Sequence, residues 1–146
     1  MCEVMIYLFI GQPGSGKTTM AKMLKDYLGE DTFHIDGDDM RILFPNKDYS
    51  KEGRIKNIEK SFDIARYLNA KSKTVVISMV APYRELRETL KNDCNVSEVY
   101  LYTTKERGRE SFFVNEFEKP LIQYNSICTD GNPSETFEQI KKVLYL

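Results

Sequence analysis

The sequence predicts an α/β fold, a three-layer sandwich in which helices cover both faces of a central parallel sheet of about five strands. Short apolar segments rich in strand-forming residues alternate along the chain with longer amphipathic segments. The first apolar segment, residues 4–10, is uninterrupted, which is typical of a strand buried on both faces. Since helices join parallel neighbours, this order predicts right-handed crossovers and one domain over residues 1–146.

The first half of the chain contains two predicted strands and two predicted helices. A strand over 4–10 leads through a glycine-rich turn into a helix over 17–28, which Gly29 ends. A short strand over 33–35 follows, and a long helix covers 50–70. Apolar spacings of three and four give each helix one buried face: Met20, Leu24, Tyr27 and Leu28 in the first, and Ile55, Ile58, Phe62, Ala65 and Leu68 in the second.

The second half of the chain repeats the alternation. Pro82 suits the first turn of a helix that directs Leu86 and Leu90 inward. Asn132 suits the cap of a last helix, because a proline and then an acid follow it at the first and third helical positions. The other features are a strand over 74–80, a strand over 96–102, a short charged stretch over 104–110, a weak strand over 126–128, and the inner stripe Phe137, Ile140, Val143 and Leu144 of the last helix.

The balance of charge excludes two classes of partner. The 146-residue chain carries 21 basic and 22 acidic side chains, a net charge of −1, so no overall basic field attracts nucleic acid or anionic lipid. The longest apolar run, residues 4–10, is far short of the ~20 residues of a membrane helix and lacks the flanks of a signal peptide. We therefore expect a soluble, cytoplasmic protein without nucleic-acid or membrane partners.

Zinc and histidine chemistry are not expected. Cys2, Cys94 and Cys128 are scattered and form no CxxC pair, and His34 is the only histidine, so the ligands of a structural zinc site are missing. His34 lies in a predicted strand, which argues against a Ser-His-Asp or Cys-His site. Free, buried thiols are the expected state of the cysteines.

A glycine-rich turn after the first strand predicts a phosphate-binding loop. Residues 11–18 match the pattern GxxxxGK[ST] between an apolar strand and an amphipathic helix, which is the context that the motif requires. Backbone N–H groups and the positive helix end can surround a triphosphate, with Lys17 on its β- and γ-phosphates and the Thr18 hydroxyl on Mg²⁺. The predicted nucleotide-binding residues are Gly11, Gly14, Ser15, Gly16, Lys17, Thr18 and Thr19, and Thr18 is the predicted metal ligand.

Two further patterns separate the classes of P-loop protein. A GTPase would carry an Asn-Lys-x-Asp motif, but within residues 46–49 Tyr49 takes the place of the aspartate. Residues 26–29 fit Asp-x-x-Gly by letters only, because they lie inside the first predicted helix. Motor and transporter ATPases are larger than this chain. One nucleotide site in a chain this short favours a small-molecule kinase that uses ATP.

An acidic motif follows the second predicted strand. In a parallel sheet, Asp36 and Asp38 would lie at the same edge as the phosphate-binding loop, where such sheets bind ligands. A carboxylate there can accept the proton of an attacking hydroxyl or hold Mg²⁺ through water. The alternative is that Asp36 only caps the helix that follows. The predicted catalytic residues are Asp36, Lys17 and Asp38.

Several segments, in the same order, resemble one enzyme family. Residues 11–19 resemble its GxSGxGKTT loop, 35–41 its LDGDNVR motif, 49–58 its FSxEDRxENI motif and 77–84 its VSFISPYR motif, and 116–120 are faintly similar to its PYEAP. The family is that of the adenylyl-sulfate kinases (APS kinases). The resemblance implies a P-loop NTPase fold and transfer of a phosphoryl group from MgATP to the 3′-hydroxyl of adenosine 5′-phosphosulfate, a step of sulfate assimilation.

The resemblance also implies an acceptor site. Arg41 and Arg54 would hold the anionic end of the acceptor. Tyr49 would stack on its base, and Asn57 would form a hydrogen bond with it. Arg54 and Asn57 lie three apart on one predicted helix and so share a face, and the planar fork of Arg41 suits phosphate or sulfate. The alternatives are a solvated helix surface for the arginines and a packed loop aromatic for Tyr49.

Departures from the family motifs leave the acceptor open. Asp39 replaces the asparagine of DGDN, which adds negative charge near an anionic acceptor, and Ala81 replaces the serine of ISPY, which removes a donor. Residues 103–113 are shorter than the family's basic lid; Arg107 and Arg109 there would reach the transferring phosphoryl group or belong to a plain surface helix. The predicted acceptor-binding residues are Arg41, Tyr49, Arg54, Asn57 and Ala81, and the predicted lid residues are Arg107, Arg109 and Phe113. Either Phe112 or Phe113 could cover a base. The alternative is that the two rings form a packed aromatic pair.

The sequence is compatible with three functions. The first is an ATP-dependent kinase that phosphorylates adenosine 5′-phosphosulfate. The second keeps the kinase and changes the acceptor to another nucleotide derivative, such as a cytidine diphosphate-linked capsule precursor. The third is a non-catalytic ATP-binding module, against which the intact Lys17, Thr18 and Asp36 argue. The oligomeric state stays open, a homodimer included.

Overall fold

The computed structural model describes residues 4–146, and these contain five strands, five α-helices and one 3₁₀ turn. The helices and strands alternate along the chain as the hydrophobic pattern predicts. In chain order they are β1 (Ile6–Ile10), α1 (Lys17–Leu28), β2 (Thr32–Asp36), α2 (Gly37–Leu43), α3 (Lys51–Ala70), β3 (Thr74–Ser78), α4 (Arg84–Asp93), β4 (Val96–Tyr102), the 3₁₀ turn (Glu110–Phe112), β5 (Tyr124–Cys128) and α5 (Pro133–Val143).

The strands form one parallel sheet in the order β2-β3-β1-β4-β5. Ser78 at the end of β3 is level with Asp36 at the end of β2 and with Phe9 near the end of β1. The turn after β1 and the carboxylate that ends β2 therefore open onto the same edge of the sheet. The predicted three-layer architecture is confirmed, and Asp36 lies at the edge that the sequence predicts.

Apolar residues fill one layer on each side of the sheet. On one side, Ile58 and Phe62 of α3 and Leu90 of α4 cluster with residues of β1 and β3. On the other side, Leu24 of α1 and Ile140 of α5 cluster with residues of β1 and β4. These side chains are buried because their sequence spacing places them on one face of each helix.

Local signals fix several helix ends. The Ser50 hydroxyl accepts a hydrogen bond of 3.3 Å from the Gly53 N–H at the start of α3, and the Asn132 side chain accepts one of 2.9 Å from the Glu135 N–H at the start of α5. Gly29 ends α1 with a φ of 105°, a conformation that glycine adopts without strain. The predicted ends at Gly29 and Asn132 are therefore confirmed.

Some boundaries differ from the sequence prediction. Tyr83 caps α4, so Pro82 lies before the helix and not in its first turn. β3 ends at Ser78, short of residue 80, because the chain leaves the sheet there to line a cavity. Tyr27 is 52% exposed, and its ring packs edge-on against Phe137 of α5 instead of entering the core. In addition, β1 begins at Ile6 and not at residue 4, and β5 begins at Tyr124 and not at residue 126.

The described residues also bear on the expectations about thiols and membranes. Cys94 and Cys128 are free and half-buried, not fully buried as predicted, and Cys2 lies outside the described residues. Within residues 4–146, no three His, Cys, Asp or Glu side chains gather as ligands for a metal ion. No helix in this same range is both long and apolar enough to cross a membrane.

Candidate active site

The loop between β1 and α1 has the backbone of an anion-binding turn. Gly11, Gly14 and Gly16 have φ values of 155°, 84° and 91°. At Gly11, a Cβ atom would stand 2.2 Å from the carbonyl oxygen of Leu101 in β4, so a side chain there would also collide with the sheet. The positive φ values of Gly14 and Gly16 turn the backbone in a way that other residues rarely adopt. The loop can therefore direct unobstructed N–H groups toward a phosphate.

Lys17 is held inside this loop. Its ammonium donates to the Gln12 carbonyl at 2.9 Å and to the Ser15 hydroxyl at 3.4 Å. Burial lowers the pKa of Lys17 from 10.5 to about 8, against the raising effect of Asp36 and Asp38. Since this ammonium has already lost most of its water, it meets a phosphate with little further desolvation, which strengthens their attraction.

Asp36 lies beside the phosphate-binding loop with its carboxylate fixed by neighbouring donors. The Thr18 hydroxyl donates to Oδ1 at 2.8 Å, and the Ser78 hydroxyl donates to the same oxygen at 2.7 Å. The Asp38 N–H donates to Oδ2 at 3.2 Å, which makes Asp36 the cap of α2. The sequence offers capping alone as the alternative to a catalytic role; the carboxylate caps α2 and also contacts the phosphate-binding loop.

A cavity of about 810 Å³ opens above this edge of the sheet. It joins the phosphate-binding loop to α2, α3 and the segment after β4, and its volume suits a ligand site. The predicted residues that line it are Gly14, Gly16, Lys17, Thr18, Thr19, Asp36, Asp38, Arg41, Tyr49, Arg54, Asn57, Ala81, Arg107, Arg109 and Phe113. Gly11 and Ser15 do not line it, because Gly11 lies against Leu101 and Ser15 is buried beneath the loop.

On the α2 side, Arg41 organises the chain that carries Tyr49. Its guanidinium lies 4.0 Å from the centre of the Tyr49 ring. The same group donates to the carbonyls of Asn46 and Asp48 at 3.0 and 3.1 Å. Tyr49 is 63% exposed, so the alternative of a packed loop aromatic is wrong. Arg41 thus holds an accessible aromatic ring at the cavity wall.

Arg54 and Asn57 share one face of α3, and both line the cavity as their spacing predicts. Because Arg41 and Arg54 are half-buried at this wall, the alternative of a solvated helix surface is wrong for both. The Asn57 side chain also has a partner within the protein. It is 7% exposed and donates to the Gly37 carbonyl at 3.2 Å, so it ties α3 to α2.

Asp39 and Ala81, the two residues that differ from the family motifs, lie in different surroundings. Asp39 is exposed and is not part of the cavity lining, so its carboxylate does not form part of the wall near which the sequence predicts added negative charge. Ala81 lines the cavity with a φ of 43°, which is unusual for a residue with a side chain. The buried Arg87 donates to the Ala81 carbonyl at 2.7 Å and pairs with the buried Glu98 at 2.8 Å. This ion pair holds the strained wall in place.

The segment over 103–113 is a loop with one 3₁₀ turn, so the alternative of a surface helix is wrong. Arg107 fastens its first part, donating to the Thr129 carbonyl at 2.7 Å and to a carbonyl of the phosphate-binding loop at 3.4 Å. Just beyond it, the Gln12 side chain exchanges hydrogen bonds of 2.8 and 2.9 Å with the backbone of Val114. The segment therefore crosses the loop as a short cover.

Arg109 differs from Arg107 in its contacts. Among residues 4–146 its guanidinium has no hydrogen bond or ion pair, and it lies 5.4 Å from the centre of the Phe112 ring. Its charge is close enough to Lys17 to lower the pKa of that residue. Phe112 and Phe113 are 64% and 39% exposed at the cavity, so they do not form a packed pair. Arg109 is the cation of this segment that can turn toward a phosphate.

A second cavity, of about 280 Å³, adjoins the start of α1. Thr19, Lys105 and Asp130 are among the residues that line it. The hydroxyls of Thr103 and Thr104 donate to Asp130 and hold the pKa of its carboxyl well below the ordinary value. The sequence does not indicate this cavity, because the chain after β5 carries no motif. The only signal is the position of this chain segment at the carboxyl edge of the sheet.

Comparison with known proteins gives a consistent set of relatives. A family model described as adenylylsulphate kinase matches residues 3–111. A probable adenylyl-sulfate kinase of Pyrococcus abyssi is 33% identical over 101 residues, 66% of this chain and 58% of that protein. The cytidine diphosphoramidate kinase of Campylobacter jejuni is 29% identical over 160 aligned residues, 93% of this chain and 94% of that protein. The APS kinase of Mycobacterium tuberculosis, in complex with AMPPNP and APS, has a TM-score of 0.83 at 18% identity over the whole of both chains, which is a likeness of fold.

Proposed function

The chain belongs to the adenylylsulphate kinase family, and on that premise we propose that it transfers the γ-phosphoryl group of ATP to a hydroxyl group of a nucleotide acceptor. One observation carries the proposal: the hydroxyl of Thr18 in the phosphate-binding loop is 2.8 Å from the carboxylate of Asp36. A triphosphate in the loop would therefore end beside a carboxylate, which is the arrangement that phosphoryl transfer to a hydroxyl needs. Both groups face the cavity that Arg41 and Arg54 line.

The donor nucleotide would occupy two adjacent places. Backbone N–H groups of the loop and the Lys17 ammonium would bind its β- and γ-phosphates. The second cavity, next to the start of α1, would take its base and ribose, since Gly16 and Thr19 border both cavities. A nucleotide that lies across the start of α1 in this way directs its terminal phosphate toward Asp36.

Asp36 would orient the attacking hydroxyl and accept its proton. The hydrogen bonds from Thr18, Ser78 and Asp38 hold its carboxylate in one orientation, and a carboxylate offers only acceptor sites. As negative charge develops on the transferring group, Lys17 and Arg109 would neutralise it. Catalysis on this account is positioning combined with charge neutralisation.

Mg²⁺ fits the oxygen groups at this point of the cavity. The Thr18 hydroxyl would hold it beside the Asp36 carboxylate, because Mg²⁺ favours one or two protein oxygens together with substrate phosphates. The ion would supply positive charge to the β- and γ-phosphate oxygens. A cluster of three carboxylates is not required for such a site.

Two acceptors are supported by different comparisons. Adenosine 5′-phosphosulfate is the acceptor that the family model and the Pyrococcus relative suggest by name. Cytidine diphosphoramidate is suggested by the Campylobacter relative. The second match covers 93% of this chain, against 66% for the first, so it extends over the short segment that crosses the loop. Coverage alone does not separate the two acceptors, because an adenylyl-sulfate kinase relative covers 94% of this chain at 26% identity. Ala81 in place of the family's serine agrees with an altered acceptor wall, so both compounds are tested.

An ADP-release assay with a panel of acceptors tests the proposal. Wild-type protein and MgATP are incubated with adenosine 5′-phosphosulfate, with cytidine diphosphoramidate or with water alone, and Lys17→Ala protein gives the background. ADP formation above the water reaction with either acceptor supports the kinase and identifies the acceptor. No acceptor-dependent ADP release with any nucleotide of the panel would contradict the proposed function.

Gly53 offers a test of the acceptor wall. A Cβ atom at Gly53 would stand 2.1 Å from the Asp48 carbonyl oxygen, in the chain that carries Tyr49, so Gly53→Ala must displace that chain. We expect the KM for the acceptor to rise by ~10-fold with the KM for ATP within ~2-fold. Gly29→Ala, strained at a φ of 105° but outside the cavity, is the control and should leave both KM values unchanged. An unchanged acceptor KM in Gly53→Ala would contradict the placement of the acceptor.

Arg109 offers a test of the cover over the loop. We expect Arg109→Ala to lower kcat by ~10- to 100-fold, because a cation that neutralises developing charge is lost, with the thermal midpoint unchanged. Arg107→Ala should also lower the midpoint, since its guanidinium bonds two carbonyls. Arg66→Ala, which removes only exposed ion pairs, is the control for kcat. A wild-type kcat in Arg109→Ala would show that this arginine has no part in transfer.

A further inference from the structure

The only histidine of the chain is connected to Asp36 by hydrogen bonds. The Nε2 atom of His34 lies 2.7 Å from the Ser78 hydroxyl oxygen, and that oxygen lies 2.7 Å from Asp36 Oδ1. The register of β2 and β3 explains the arrangement, because Asp36 is opposite Ser78 and His34 lies two residues earlier on the same face of the sheet. With Thr18 on the far side of Oδ1, four side chains form one continuous line.

Counting protons shows which group donates and which accepts in each hydrogen bond of this line. The Asp36 carboxylate can only accept, so the single proton of the Ser78 hydroxyl is donated to it. The Ser78 oxygen then has only lone pairs left for the ring nitrogen 2.7 Å away, so His34 donates from Nε2. The histidine ring therefore carries a proton on Nε2 and fixes the rotation of the Ser78 hydroxyl.

A count of lone pairs singles out one oxygen of Asp36. Each carboxylate oxygen has about two acceptor sites. Oδ1 uses both, one for Thr18 and one for Ser78, whereas Oδ2 uses one for the Asp38 N–H. The site that remains is on Oδ2, which makes Oδ2 the atom available to receive the proton of an acceptor hydroxyl.

We propose that His34 is a positioning residue for phosphoryl transfer: by donating to Ser78, it holds the Ser78 hydroxyl on Oδ1 of Asp36 and so keeps Oδ2 available to the acceptor hydroxyl. The inference rests on the proposed kinase function. His34 lines neither cavity, so its effect is exerted through Ser78 and not by contact with a substrate. Without this donor, the Ser78 hydroxyl can rotate to other partners and the carboxylate loses one of its constraints.

The surroundings of His34 make its protonation measurable. Burial lowers the pKa of the His34 ring below its ordinary 6.5; Asp36 and Asp39 raise it, and Lys22 and Lys25 lower it further. At pH 7.5 the ring is therefore neutral, with its one proton on a single nitrogen. Because the chain has no other histidine, a ¹⁵N-correlated NMR spectrum of the whole protein reports this ring alone.

Kinetics of matched variants test the positioning role. His34→Leu removes the donor, whereas His34→Gln keeps an N–H group that can reach Ser78. We expect His34→Leu to lower kcat by about tenfold, with the KM values for ATP and acceptor within ~2-fold, and His34→Gln to stay within ~3-fold of wild type. In a Ser78→Ala background, His34→Leu should have no further effect, because the line of hydrogen bonds is already broken.

Several results would overturn the inference. They are an unchanged kcat in His34→Leu, equal losses in the leucine and glutamine variants, additive losses in the double variant, and an Nδ1–H tautomer in the NMR spectrum of the wild type. The NMR result does not depend on turnover, so it separates two failures. Absence of phosphoryl transfer by the wild type would remove the proposed function and this inference together, whereas an active enzyme with an Nδ1–H ring would remove this inference alone.

Discussion

Replacing Lys17 by alanine is expected to lower kcat for phosphoryl transfer by ~100- to 1,000-fold, a loss measured by steady-state kinetics with saturating acceptor. The physical reason is the position of the ammonium, which is 9% exposed and bound to the Gln12 carbonyl inside the loop, where water cannot replace it. The thermal stability of this variant should not fall together with its kcat. Since burial of this charge is unfavourable and lowers the pKa of Lys17 to about 8, its removal should leave the thermal midpoint unchanged or higher.

Lys22→Ala is the matched control, because Lys22 lies exposed on the same helix. Its kcat and thermal midpoint should equal those of the wild type. If Lys17→Ala were to retain a near-normal kcat while Lys22→Ala behaved as expected, the loop would not be the site that binds the transferring phosphate.

Asp36→Asn is expected to lower kcat by ~100- to 1,000-fold and to change the Kd for MgATP by no more than ~3-fold. Asparagine is as good a helix cap as aspartate, so α2 should stay in place. The amide, however, is neutral and cannot take a proton from an attacking hydroxyl. Turnover and nucleotide binding are measured separately, by the ADP assay and by calorimetry.

Asp39→Asn is the control for this variant. It removes a carboxylate from the same short helix at a position outside the cavity lining, and kcat should stay within ~2-fold of wild type. Loss of turnover in both variants would point to the overall charge of α2 rather than to Asp36. Wild-type turnover in Asp36→Asn would remove the carboxylate from the mechanism.

The fold could be predicted wherever a local signal and the packing agree. The bounds of α1 follow from a glycine-rich turn at one end and Gly29 at the other, and the predicted bounds of β4, residues 96–102, are the observed ones. The end of β3 and the start of α4 could not be predicted, because the chain around Ala81 is held by the buried Arg87, a contact between distant parts of the sequence. Tyr27 has the spacing of a core residue, but nothing local shows that it packs at the rim against Phe137.

In the candidate site too, some features follow from local sequence motifs and others depend on contacts between distant residues. Motif spacing brought the phosphate-binding loop, Asp36 and the arginines of the cavity wall to one edge of the sheet, because parallel strands end there together. Partner assignments were less predictable. The Asn57 amide is engaged by Gly37, and Ser78 contacts Asp36 through strand register that the sequence does not state. The second cavity depends on how the chain after β5 packs against α1, for which no residue pattern exists.

The central claim is that this site transfers a phosphoryl group and does not merely bind or hydrolyse ATP. It is tested most directly by a ³¹P NMR spectrum of wild-type protein with MgATP and the acceptor panel. We expect the signal of the γ-phosphate to be replaced by that of a phosphate monoester on one acceptor, in equal amount to the ADP formed. ATP that stays intact, or ADP accompanied only by inorganic phosphate, would contradict the claim.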